Sequence, residues 1–348
     1  MNKKGFELQF HWIFILLAGG LILGFFLSVA YKHQNLSEQR LELSLSAQTE
    51  SVFTAAIKGK GAAQVIPNPG ISFECTKGCD CSFGIGSARR SFGQKSVFAL
   101  TSKSPSLVVW SREIRLPYRV ANVLLITDPQ AKYYFVGDRT DPLFIQLTRA
   151  IPVFQTKEGV FSAISYENKS VAQVGGLVAD SEKVRFVFVN SNPPSLDDSF
   201  RGKEVSAVSI EQQRIVFYRL SSSNTFVRVD DVPRSDLTSM FAAIFSEDPA
   251  MYRCGMQSLG RKASIVAQVY IDQAQKLKVF SSTSGEGYNI NCPLLYDRLI
   301  GYLELQQGFA NTLANSLSTT ALAGLAQYNA LLESANRDLS GKSCPELF

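Results

Sequence analysis

The residues of this chain that could do chemistry are six cysteines, two histidines and a scatter of aspartates. Cys75, Cys79 and Cys81 form a C-x3-C-x-C cluster, whereas Cys254, Cys292 and Cys344 stand apart. Clustered thiolates can bind zinc or an iron–sulfur centre, but a structural zinc site needs a second local pair, which this sequence lacks. An even number of cysteines fits disulfides with the connectivity open. All six are therefore read as disulfide candidates, with no metal and no other cofactor expected. Both histidines, His11 and His33, lie in or beside an apolar N-terminal segment. The rest of the chain thus has no imidazole for Ser-His-Asp or Cys-His catalysis or for a metal. Asp128, Asp138, Asp141, Asp197, Asp198, Asp230 and Asp231 follow or separate predicted strands, where α/β sheets bind ligands. Each is read as a solvated acid, and no catalytic residue is assigned. Gly84-Ile85-Gly86-Ser87-Ala88-Arg89 lacks the third glycine of a dinucleotide fingerprint and reads as a turn.

What must position these residues begins with a membrane anchor. From Leu8 to Tyr31 there is no Asp, Glu, Lys or Arg. As a helix this stretch is long enough to cross a hydrocarbon core of about 30 Å. Trp12 and Tyr31 mark its ends, where amphipathic rings favour the headgroup level. Ser28-Val29-Ala30 offers a secretory cleavage site, but the apolar run exceeds the length of a signal core. Membrane lipid is accordingly the expected partner of residues 8–31. The basic flanks, Lys3 and Lys4 before and Lys32 and Arg40 after, orient the helix only weakly. The cysteines favour a cytoplasmic N-terminus and an extracytoplasmic bulk, because exported thiols oxidise. The net charge of +5 is spread thinly, which excludes a nucleic-acid partner.

The spacing of Leu41, Leu45, Val52 and Ala56 predicts that the helix continues as a stalk to about Ile57. Short apolar runs at 71–75, 97–100, 107–110, 123–126, 133–136, 184–189, 205–210 and 215–218 read as strands. Asp141 before Pro142 signals a short helix over 141–150, and 194–200 is a second candidate. The expected fold is an α/β or α+β ectodomain with a mixed sheet, carried on a transmembrane helix and stalk. Beyond Ser235 the chain reads as helix: 248–280, a loop at 281–291, and a second helical region over 293–338. These predict a C-terminal antiparallel hairpin. The domains are thus 1–31 leader and transmembrane helix, 32–70 stalk and linker, 71–234 ectodomain, and 235–348 helical region. Such a hairpin brings Cys254 beside Cys344, so that bond is expected. A break near Asn311 instead brings Cys344 to Cys292.

Met1-Asn2-Lys3-Lys4-Gly5-Phe6-Glu7 running into an apolar helix resembles the class III signal of type IV pilin-like proteins. The resemblance implies cleavage between Gly5 and Phe6. Phe10 stands at the fifth mature position, where pilins carry Glu, and Glu7 stands at the second. Three further segments are similar to uncharacterised membrane proteins of small-genome archaea: 9–14, 116–122 leading to 133–136, and Met251-Tyr252-Arg253-Cys254. That likeness implies topology. The functional expectation is a membrane-anchored envelope or cell-surface protein that binds or scaffolds, with envelope or pilus proteins as partners. The alternative is a membrane-tethered enzyme or ligand-sensing domain using carboxylates of the central region. Removing residues 1–34 should leave a folded chain in the supernatant after a carbonate wash of the membranes. Retention in the pellet would show a second attachment.

Overall fold

The computed structural model describes residues 4–59, 63–76, 78–102, 104–156, 159–162, 164–283 and 291–348. The chain opens with a single helix of 55 residues, α1 (Lys4–Lys58). From Trp12 to Leu27 every large apolar side chain on it is at least 50% exposed. One helix of the described residues is thus long and apolar enough to cross a membrane. Beyond an exposed stretch, the last turns of α1 are not a free stalk. Ser46, Thr49, Phe53 and Ala56 are buried at helical spacing, with Phe53 wholly so. Leu41 and Val52, two members of the expected stripe, face outward instead. The phase differs because small polar residues, Ser46 and Thr49, supply the contact face. Asn122 Nδ2 donates to the carbonyls of Ile57 and Gly59, at 2.6 and 2.7 Å, which ends the helix against a strand.

Strands β1 (Ala63–Pro67), β2 (Ile71–Cys75), β3 (Cys81–Ile85), β4 (Ala88–Ser91), β5 (Val97–Ala99), β6 (Ser106–Leu116) and β7 (Tyr118–Thr127) follow. They form a small sheet β2-β3-β4 and a larger one ordered β1-β6-β7-β5. Gly86, at φ +56°, turns the β3–β4 hairpin, and the Glu42 carboxylate lies where its Cβ would be. The larger sheet is buried on both faces. Val97, Ala99, Leu124 and Ile126 face α1, and Phe98, Leu100, Val123 and Leu125 face the interior.

The second half of the sheet-bearing region is a six-stranded mixed sheet, ordered β11-β8-β12-β13-β14-β15. Its strands are β8 (Lys132–Val136), β11 (Ser165–Lys169), β12 (Lys183–Val189), β13 (Glu204–Ile210), β14 (Arg214–Leu220) and β15 (Phe226–Pro233). The first four in that order of pairing run parallel, and β14 and β15 are antiparallel. Helix α2 (Pro142–Arg149), a β9–β10 hairpin (Val153–Thr156 and Gly159–Ser162) and α3 (Val171–Val174) lie between β8 and β12. Asp141 Oδ1 accepts from Leu143 N at 2.8 Å, the cap expected for α2. The helix expected over 194–200 is only a 3-10 turn, Asp198–Phe200. Asp197 Oδ1 caps that turn by accepting from Ser199 N at 2.8 Å, so the helical stretch starts only at Asp198.

Helix α4 (Leu237–Ile244) is sandwiched between the two large sheets. Its C-terminal carbonyls are satisfied by a buried guanidinium. Arg185, 1% exposed in the middle of β12, donates to the carbonyls of Ala243, Ile244 and Ser246 at 2.9–3.2 Å and to Ser206 Oγ at 2.8 Å. Burial lowers its pKa to about 10, so it stays charged at neutral pH.

Three helices complete the chain: α5 (Pro249–Thr283), α6 (Cys292–Asn315) and α7 (Thr319–Gly341). The expected two-helix hairpin is therefore corrected to three. Lys278 reaches Asp297 and Gln268 reaches Gln307, so α5 and α6 are antiparallel. The residues 284–290 of the expected loop lie outside the described residues. The break in the second helical region falls at Ser316, which is extended, and Ser318 Oγ caps α7 by accepting from Ala321 N. At Gly260 a Cβ would meet Ala314 N at 2.6 Å, so glycine sets the approach of α5 and α6. Replacing Arg185 by Met should lower unfolding stability on the order of 3 kcal/mol, because three carbonyls lose their donor. Denaturant melts check this, and a variant as stable as the parent would remove the capping role.

Candidate functional site

The cysteines are all paired, but not as the hairpin implied. The bonds are Cys75–Cys81, Cys79–Cys254 and Cys292–Cys344, and no free thiol remains. The expected Cys254–Cys344 bond is replaced because α7 carries the chain end back toward the start of α6. Cys79–Cys254 staples the β2–β3 loop to α5 across 175 residues. In the chain-entropy description such a closure is worth about 5 kcal/mol. No cluster of three or more His, Cys, Asp or Glu suited to a metal occurs among the described residues.

The aspartates singled out in the sequence do not converge. Asp128 is buried and accepts from Ser102 Oγ and Gln130 N. Asp197 and Asp198 hold the 3-10 turn and Asn224. Asp230 and Asp231 lie on β15, paired with Arg253 and Arg228. Only Asp138 and Asp141 reach the carboxyl ends of the parallel strands. There β8 continues on one face of the sheet through α2, and β12 on the other through Leu196 and Phe200. This switch is where open α/β sheets bind ligands. Here it is an open depression of about 780 Å³ lined by Asn190, Ser191, Asn192 and residues 211–214, and the two acids beside it are engaged locally. Asn190 Nδ2 donates to Asp141 Oδ2 at 2.7 Å, and Asp138 accepts from Thr140 N and Oγ1, which lowers its pKa. A Cβ on Gly137 would lie 3.1 Å from both Phe144 and Val189 O. Asn168, an asparagine of an Asn-x-Ser triplet, lies inside β11 with its Oδ1 buried and unbonded.

A better-formed cavity lies next to this switch, reached past Gln212 and Gln213. It measures about 430 Å³. Its walls come from the tip of the β6–β7 hairpin, from α5 through Met256 and Leu259, from Leu313 at the end of α6, and from α7. Tyr118 OH donates to Gln306 Oε1 at 2.5 Å, which fixes the hairpin tip to α6. The lining is aliphatic, with no aromatic side chain. Asn329 Oδ1 is buried in this region and accepts no hydrogen bond. The mouth carries Arg115, Arg234 and Asp236, shared with an adjoining depression that Arg112 and Glu113 also line. Arg112 sits over the rings of Trp110 and Phe241, at 5.4 and 5.0 Å, and desolvation lowers its pKa against the pull of Asp236. Sequence reading missed the cavity, since its residues come from five or more separate segments spread from Ile114 to Asn329.

One amine stands out. Lys262 Nζ donates to Ser96 Oγ at 3.3 Å, and burial lowers its pKa to about 8. Ser96 is fully buried and Lys262 half-buried, and the pair reads as packing. No family model, curated protein or solved structure matches this chain.

Lys262 generates a pH prediction. An unfolded lysine titrates near ~10.4, so between pH 8 and 10 the unfolded chain binds more protons than the folded one. The penalty of burying the charge is full below pH 8 and is relieved as pH rises through that value. Thermal stability should therefore climb from pH 7.5 to 9.5 on Lys262's account, and Lys262→Met should flatten that climb. An equal climb in the variant would assign it to other groups.

Proposed function

We propose that this chain is a membrane-anchored protein of the cell envelope whose folded part works outside the cytoplasm in binding or scaffolding. The observation that carries the reading is α1: one helix whose first half is bare and apolar and whose second half is built into the core. A soluble fold gains nothing from exposing such a stretch, whereas a bilayer covers it. The full pairing of six cysteines supports an oxidising compartment. The dispersed aspartates, each engaged by local partners and none paired with another acid, weigh against the carboxylate enzyme.

A pilin-like role is the finer form of this proposal. It rests on the leader-like start, with Gly5–Phe6 as the cut, and on a long helix whose second half packs on a sheet. Phe10, in place of a glutamate, removes the carboxylate that would meet a neighbour's new N-terminus. A role at the membrane surface is therefore favoured over a filament. The cavity beneath the β6–β7 hairpin supports a second reading, a ligand-sensing domain tethered to the membrane.

Mass-tagged maleimide decides the compartment. We expect no addition to the freshly denatured chain and six additions after reduction. Free thiols in the unreduced chain would sink the extracytoplasmic assignment. N-terminal sequencing of the membrane-derived protein should read from Phe6 if the pilin-like form holds, and from Met1 or Asn2 if it does not.

A further inference from the structure

The cavity between the β6–β7 hairpin and α5–α7 has a lining and a mouth that together specify a ligand. Its wall residues Ile114, Leu116, Met256, Leu259, Leu322 and Leu325 are aliphatic or thioether. They suit a flexible hydrocarbon chain, and methionine adapts to its shape. The volume of about 430 Å³ falls within the range of small-molecule sites.

The mouth adds charge. Arg115 pairs with Glu113 at 3.1 Å, and Asp236 is committed to capping α4, accepting from Ser239 N at 2.9 Å. Arg112 lies over its two rings. Arg234 has no carboxylate partner among the described residues; its Nη1 donates to Glu211 O at 2.9 Å. A half-buried guanidinium of this kind favours a planar anion that can accept two hydrogen bonds.

We propose that this cavity binds an amphipathic aliphatic carboxylate, with its chain among the leucines and its head on Arg234. The ligand is diffusible and does not come from the bilayer in place. Helix α1 meets β6 and β7 at its last turn, through Ile57 and Gly59. The stretch from Tyr31 to Lys58 rises about 40 Å along the helix, beyond the reach of a bilayer lipid. The assignment stands on the cavity alone and is independent of which side of the membrane the ectodomain occupies.

The chain's few methionines make a local test. The full-length protein would be carried in zwitterionic lipid discs with its methionine methyl groups isotopically labelled. Met256 lines the cavity, whereas Met251 is buried in the core beside α1, its sulfur accepting from Ala99 N. The Met256→Leu variant assigns the Met256 signal. Octanoate should shift that signal saturably below about 1 mM while Met251 stays still. Octanol, of equal chain length and no charge, should bind roughly tenfold more weakly, as should octanoate to Arg234→Gln. Ala326→Trp should abolish the shift by filling the cavity. A still Met256 signal overturns the proposal, and so does octanol binding as tightly as octanoate. A Met256 shift on exchanging zwitterionic for anionic phospholipid overturns the diffusible source. If a variant loses its Met251 signal it has misfolded, and the octanoate–octanol comparison on the parent chain then decides.

Discussion

A cation sealed between two sheets holds the interior of this fold in register. Arg185 faces the same side of β12 as Val187 and Val189, where an apolar residue would be expected. Its charge is tolerable only because α4 ends directly over it with carbonyls to offer. A helix C-terminus carries partial negative charge, so cation and helix end answer each other's cost. Helix α4 is thereby fixed on the sheet at one end. At its other end Asp236 and Arg234 stand at the cavity mouth. Lys183, two residues before Arg185, and Thr101 meet Glu247 just beyond α4, so the tie extends to the second sheet. The separation of the sheets, the entry of α5 and the shape of the cavity mouth all rest on this contact.

Much of the frame was legible. The uncharged run from Leu8 to Tyr31 announced α1, and alternation or apolar runs marked β2, β5, β8, β12, β13 and β14. The Asp141–Pro142 pair marked α2. Among the missed strands, β4 reads Ala-Arg-Arg-Ser, and in β15 valine alternates with charges but Val227 and Val229 are exposed, so no apolar face marks it. Their strand character comes from pairing, which is a tertiary effect. The division of the C-terminal helices was foreshadowed where the seven-residue spacing of Leu295, Tyr302 and Phe309 arrives at Ser316. Serine at an extended position, followed by a serine cap, outweighed continued helix. The Cys292–Cys344 bond followed from that single break.

The cavity was not legible for a different reason. Met256, Leu313 and Leu322 each read as ordinary helical core positions, and only the meeting of α5, α6, α7 and the β6–β7 tip leaves space among them. Asn329 looks like any polar residue on a helix surface. The aspartates gave the opposite error: their positions between strands drew attention, yet each is engaged locally, as a cap, a turn or an ion pair. Arg185 lay in plain view inside an apolar strand, and its isolation there was the one sign of a buried charge needing partners.

Helix α1 crosses from a bare segment to a buried one without a hinge. Gly19, Gly20 and Gly24 lie in the bare part, and the stretch from there to the core is unbroken helix. A load applied to the folded part is therefore delivered along a stiff rod and not absorbed by a linker. Any change in the tilt of the bare apolar segment becomes an angular sweep of the whole folded mass. The reverse also holds, since a torque on the sheets must twist or tilt the rod along its bare length. Leverage of that kind makes the first half of the chain a mechanical continuation of the second.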